Sequence, residues 1–219
     1  MESVLAQQEA DIHANGDELT FRSVDATAWP DLDALFATAE ADAVGDPTRC
    51  WCMEWRLPRE QWKAQVGAAN RAALRALAEA GPTPGILAYR DGAAVGWCSV
   101  APRPTLAGLR EASTLADFDD PGVWSIVCFY VSRPCRGAGV AARLLEAAVD
   151  HAARNGARVV EAYPVDPTVP GALEQTGFMG VISAFRRAGF VDAPADAGVL
   201  ALGSYTDGNR VMRRQLDPG

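Results

Sequence analysis

The chain has 219 residues, 49% of them hydrophobic and 22% charged, with a formal net charge of −8. That is enough apolar material for one domain with a full core. The acidic balance argues against a nucleic-acid partner, whose phosphates need a basic face, and is compatible with a cationic or amine ligand.

Met1-Glu2-Ser3 lacks the basic start of an export signal, and no run approaches the length of a membrane span. A cytoplasmic protein without a membrane partner is expected. The five cysteines are an odd number, which fits reduced thiols better than a disulfide framework.

Residues 1–16 are polar and aperiodic and read as a tail, leaving 17–219 as a single domain. Leu19, Phe21 and Val24 suggest a first strand. Thr27-Ala-Trp-Pro-Asp opens a helix through Leu32, Leu35 and Phe36, with Pro30 in its first turn. Asp46-Pro47 breaks it. Cys50-x-Cys52 lacks the usual zinc spacing, and the only histidines are His13 and His151, so no metal site is expected. His151 falls inside a later helical pattern and reads as a surface or packing residue. Trp51, Trp55 and Trp62 are either core anchors or one wall of a pocket.

Pro58 starts a second helix carrying Trp62, Val66, Leu74 and Leu77, stopped by Gly81-Pro82. Ile86 to Arg90 reads as a strand, Asp91-Gly92 as a hairpin turn and Ala94 to Val100 as the returning strand, with Trp97 and Cys98 on opposite faces. Pro102 to Gly122 reads as a polar loop. Its Asp117, Asp119 and Asp120 are either solvated or a lure for an amine.

Val123 to Val131 is almost continuously apolar, β-branched or aromatic, as in a strand covered on both faces. Arg136-Gly137-Ala138-Gly139-Val140-Ala141 then turns the chain. Leu144, Leu145, Ala148 and Ala152 follow at helical spacing up to a stop at Asn155-Gly156. Arg158 to Tyr163 is the next strand. A Pro/Gly-rich crossover to Gly180, a short helix over 181–188, a strand start at Phe190-Val191, a turn at Asp207-Gly208 and a last strand over 210–216 complete the chain.

The chemistry of the glycine turn is anion binding. Two glycines let backbone approach a ligand, and the N–H groups of a helix start point at it from the positive end of the macrodipole. A diphosphate fits, and Arg136 can add a charged hydrogen bond. Gly137-x-Gly139-x-x-Ala142 also fits the dinucleotide fingerprint. Against that reading, residues 133–136 separate the strand from the first glycine, and only one convincing strand-helix-strand unit is present.

Arg136-x-x-Gly139-x-Ala141 matches the Gln/Arg-x-x-Gly-x-Gly/Ala acyl-CoA motif of the GCN5-related N-acetyltransferases, and Val131-Ser-Arg-Pro-Cys-Arg136 looks like that family's approach to it. Ala184 to Phe190 resembles its later Tyr-x-x-x-Gly-Phe segment, with Phe185 in the tyrosine's place. The resemblance is specific from about Val123 to Phe190. It implies a mixed α/β fold with a central, mostly antiparallel sheet, splayed near Val131 and flanked by helices.

It further implies acetyl-CoA as cosubstrate and direct attack on its thioester by the amine of a small molecule or peptide. The backbone of Phe129, Tyr130 and Val131 would pair with the pantetheine arm, and Arg136, Gly137, Ala138, Gly139, Val140 and Ala141 would hold the diphosphate. The segment Trp51 to Trp62 would lie beside the acceptor. A homodimer is left open. Phenylalanine cannot donate a proton, and no carboxylate lies within 123–131. Either another group substitutes, or the protein is a catalytically silent acyl-CoA sensor. Glu161 and Tyr163 share one face of the following strand, with Asp166 beyond it. They are the expected catalytic pair, Tyr163 as the acid.

Overall fold

The computed structural model describes residues 18–39, 46–81, 83–172, 177–200 and 209–216. The tail read over 1–16, Tyr205 and the Asp207-Gly208 turn lie outside them.

One sheet carries β1 (Thr20–Ser23), β2 (Gly85–Arg90), β3 (Ala93–Pro102), β4 (Val123–Val131), β5 (Val159–Ala162), β6 (Val191–Asp192) and β7 (Met212–Gln215), in the order β1-β2-β3-β4-β5-β7-β6. All neighbours run antiparallel except β4 and β5. The β2–β3 hairpin turns on Asp91 and Gly92, with φ of 50° and 76°, the two positive values that a two-residue turn needs to follow strand twist. Between β1 and β2 lie α1 (Trp29–Ala37), α2 (Pro47–Cys50), α3 (Arg59–Ala64) and α4 (Ala68–Ala80). Further along are α5 (Ala107–Glu111), α6 (Val140–Arg154) and α7 (Ile182–Arg187). The parallel β4–β5 pair requires a crossover, and α6 is that crossover.

The central pair does not stay together. β4 pairs with β5 only from Val123–Val159 to Ile126–Ala162, while its pairing with β3 continues to Val131–Gly96. The sheet therefore opens beyond Ile126, earlier than the Val131 that the sequence suggested. Tyr163-Pro164 explains the difference, because proline has no N–H to extend the ladder and β5 ends before it.

Each face of the sheet is covered. On one side Leu144, Leu145, Ala148 and Val149 of α6 and Phe185 of α7 pack with Ile126, Val160 and Ala162. On the other, Leu32, Leu35 and Phe36 of α1 join Trp51, Leu87, Trp97 and Tyr130. Trp55, Leu106, Leu109, Phe118, Val127 and Tyr163 form a neighbouring cluster. His151 is a packing residue: 4% exposed, edge-on to Trp124 and hydrogen-bonded with Ser23 and Thr83.

Two readings need correction. The helix expected from Pro58 is two helices, α3 and α4, because Gly67 turns the chain with φ of 62° and its N–H bonds to the Arg49 carbonyl instead of continuing α3. The polar loop expected over 103–122 contains α5 and buries Leu106, Leu109, Leu115 and Phe118. Its apolar residues are three to six apart, a spacing hidden among polar neighbours. Asp119 and Asp120 there are ion-paired with Arg110 and Arg158.

Candidate active site

Where β4 parts from β5, a cleft of about 300 Å³ opens. Phe129, Tyr130 and Val131 line it from β4, Ala141 and Leu145 from α6, and Ala184 and Phe185 from α7, with Arg136 at the turn between strand and helix. The local sequence builds this shape. An uninterrupted apolar run carries β4 past the end of its neighbour, and the glycines then reverse the chain into α6.

Gly137 and Gly139 have φ of 80° and 75°, values that a side chain would resist. A Cβ built on either meets nothing within 4 Å, so the turn is open where those side chains would stand. Gly139 is the N-cap of α6, and no side chain caps the helix start. The N–H groups of its first turn lack partners within the helix. Arg136 donates from Nε to the Val131 carbonyl at 3.0 Å, fixing the guanidinium stem against the end of β4. Of the expected coenzyme contacts, Phe129, Tyr130, Val131, Arg136 and Ala141 line one cleft, and Gly137, Ala138 and Gly139 form the exposed turn at its edge. Val140 is buried beneath it.

Phe185 is 1% exposed and meets Phe129 and Phe190 edge to face at 6.0 and 5.1 Å. This position is therefore part of the cleft wall and carries no hydroxyl. Among the described residues lining the cleft, Tyr130 has the one hydroxyl group.

Neither Glu161 on β5 nor Tyr163 just past its end is among the residues lining the cleft. Both are fully buried, Tyr163 in the cluster with Trp55, Leu106 and Val127. Tyr163 donates to Glu161 Oε1 at 2.6 Å, so Ser125, 2.9 Å away, donates to Tyr163. Burial, and next the Glu161 charge, push the Tyr163 phenol well above the usual tyrosine range. Glu161 also accepts from Arg103 at 3.1 Å and from Arg213 Nε at 2.6 Å. Arg103, 1% exposed, extends the network to the carbonyls of Ala116, Asp117 and Phe118. The arrangement ties the 103–122 segment to β5 and β7 beside the point where the sheet opens.

A second cavity of about 140 Å³ is lined by Glu54, Trp55, Arg59, Trp62, Gly108, Glu111 and Ala112. Helix α5 closes it from one side: a Cβ on Gly108 would stand 2.2 Å from the Glu54 carbonyl oxygen. Glu111 Oε2 accepts the Arg59 N–H at 2.8 Å and caps the start of α3. Thus Trp51 is a core anchor, stacked near Trp29 and Phe36, while Trp55 and Trp62 form a pocket wall. Sequence reasoning did not name Glu54 and Glu111, because no local pattern joins residues so far apart.

Among the described residues no group of three or more His, Cys, Asp or Glu could hold a metal ion, and no helix is long and apolar enough to cross a membrane.

Comparison with known proteins gives a concordant picture. A family model described as the acetyltransferase (GNAT) family matches residues 48–178. No curated protein sequence matches the chain. Among solved structures, the GNAT domain of S. lividans PAT is similar at 16% identity and a TM-score of 0.53, covering 90% of this chain and 89% of its own. A GCN5-related N-acetyltransferase from Kribbella flavida is 20% identical with a TM-score of 0.48, covering 90% and 98%. The structure of yncA from Salmonella typhimurium with its cofactor acetyl-CoA is 17% identical with a TM-score of 0.48, covering 92% and 95%.

Proposed function

The chain belongs to the acetyltransferase (GNAT) family, and we propose that it moves the acetyl group of acetyl-CoA to the amine of a small cationic molecule. The observation that carries this reading is the cleft between β4 and β5, with the open glycine turn at its edge. In the proposal the diphosphate rests on the N–H groups of residues 137–141 with Arg136 beside it. The pantetheine arm runs along Phe129, Tyr130 and Val131 as an added strand, using backbone that β5 does not reach.

The acceptor is proposed to enter from the cavity at Glu54 and Glu111. Two carboxylates against the single cation of Arg59, beside two indoles, suit an ammonium or guanidinium head better than an acid. The amine then attacks the thioester carbonyl directly, and the coenzyme leaves as its thiolate. Holding both reactants in line supplies much of the rate.

Proton transfer is assigned to Tyr130, whose hydroxyl belongs to a cleft-lining residue. Glu161 and Tyr163 are proposed to order the opening of the sheet through their buried network, and Tyr163→Phe is the check on that assignment. Phe185 favours a second reading, an acyl-CoA sensor without turnover. Thiol release from acetyl-CoA, followed across polyamines, amino acids, aminoglycosides and peptide N-termini, separates the two. Release with a cationic amine supports the enzyme. Tight coenzyme binding with no release across the panel supports the sensor.

A further inference from the structure

Cys52 and Cys128 are 76 residues apart in the chain, yet their sulfurs lie 3.2 Å from each other. Cys128 is half-buried on β4, immediately before Phe129, and Cys52 is 4% exposed behind it. The chain reaches this contact through Trp51 and Cys52, two successive non-glycine residues with φ of 48° and 51°. Backbone of that kind costs energy and persists where its surroundings hold it, often at functional sites. Here it aims the Cys52 sulfur at β4.

The surroundings favour a thiolate. The Trp97 indole N–H donates to the Cys52 sulfur at 3.1 Å, and the Cys128 sulfur lies within hydrogen-bond reach of it. Arg56 is 9% exposed and donates to two neutral oxygens, the Pro84 carbonyl at 2.6 Å and Ser99 Oγ at 2.9 Å. Among the described residues no carboxylate pairs with it. Ser99 stands opposite Cys128 in the β3–β4 ladder, which brings the guanidinium to the sulfur pair. A buried cation needs a counter-charge, and the sulfurs are the groups at hand. The hydrogen bond from Cys128 is the leading cause that lowers the Cys52 thiol below its usual range, and the same bond holds Cys128 well above it. Burial pulls Arg56 down to about 10, and the two cysteines oppose that pull.

We propose that Cys52 and Cys128 are a peroxide-sensitive dithiol site that closes reversibly into a disulfide behind the cleft strand. The Cys52 thiolate attacks one peroxide oxygen, the O–O bond breaks and hydroxide leaves. The Cys128 sulfur then attacks the Cys52 sulfenic acid. The S–S bond forms, the S–O bond breaks, and the Cys128 proton leaves with the hydroxyl as water. Two electrons pass from the sulfurs to the peroxide. The disulfide is neutral, so Arg56 loses its counter-charge on oxidation. The reduced pair is thereby favoured, and a thiol such as glutathione reopens the bond readily.

The site stands whether or not the cleft takes a coenzyme, and its test needs no turnover. The native protein is treated briefly with hydrogen peroxide, quenched, unfolded and alkylated. Of five thiols, three should remain, and peptide mapping should join the Cys52 peptide to the Cys128 peptide. Reduced glutathione should restore five. Trypsin does not cut Arg133-Pro134, so each cross-linked peptide carries a second thiol; Cys50→Ser and Cys135→Ser, which remove those, should keep the cross-link, and Cys128→Ser should abolish it. Five thiols after peroxide, oxidation confined to Cys50, Cys98 or Cys135, or a cross-link surviving in Cys128→Ser would each overturn the assignment. Fragmentation of the wild-type cross-linked peptides, which locates the two joined sulfurs within them, decides the matter even if a variant fails to fold.

Discussion

Among single residues, three aromatic positions carry the proposed route of the proton. Phe185 occupies the cleft wall without a hydroxyl, Tyr130 is the lining residue that has one, with its ring packed against Phe36, and Tyr163 keeps its own in a buried network. A general acid contributes about 10²–10⁴-fold, so Tyr130→Phe should lower kcat by at least about tenfold with acetyl-CoA affinity nearly unchanged. Tyr163→Phe should change kcat by less than about threefold, because it removes two buried hydrogen bonds, to Glu161 and from Ser125, and no cleft group. Steady-state kinetics with the amine that gives turnover checks both. A large kcat loss confined to Tyr163→Phe would return the acid role to that residue. The sequence could place Glu161 and Tyr163 on one face of a strand, since alternation is a local property. It could not say which face is sealed, because that depends on Arg103 and Arg213 arriving from distant segments.

At the scale of elements, the opening of the sheet depends on contacts that cross it. Glu161 joins Arg103, before α5, to Arg213 on β7. Glu161→Ala would leave the nearly inaccessible Arg103 without its carboxylate, and removing one partner of a buried pair costs about 3–5 kcal/mol. Urea unfolding should therefore show a much lower midpoint with little change in slope, whereas an unchanged midpoint would mean that the network is not structural. Helix α5 makes the second crossing contact. In Gly108→Ala the added Cβ would approach the Glu54 carbonyl at 2.2 Å and the Leu57 carbonyl at 2.6 Å. Overpacking of this sort costs about 1–3 kcal/mol. It also displaces Glu54, so KM for a cationic amine should rise while acetyl-CoA binding holds, as paired kinetics and calorimetry would read. The helix itself escaped the sequence reading because it is short and lies among prolines and aspartates.

At the scale of the whole molecule, the legible part of the fold was the strand-turn-helix-strand unit from β4 to β5. Its glycines, apolar run and helical spacing are all contiguous, and the family resemblance rested on them. The mostly antiparallel, open sheet followed, and the family model and the S. lividans PAT domain agree with it. What stayed hidden were contacts closed over long stretches of chain, such as the Glu54–Glu111 cavity and the Cys52–Cys128 contact. The depth of the opening was also misplaced, since it is set by where β5 stops.

The proposed function rests on the cleft beside the glycine turn being a coenzyme site. Gly139→Asp tests it most directly, by placing a carboxylate where a diphosphate would lie and a side chain where φ is 75°. Titration calorimetry of the full chain with acetyl-CoA and, separately, with NADH is the measurement. Wild type should bind acetyl-CoA and not NADH, and Gly139→Asp should lose that binding while remaining folded by circular dichroism. Binding of NADH without acetyl-CoA, or undiminished acetyl-CoA binding in folded Gly139→Asp, would contradict it.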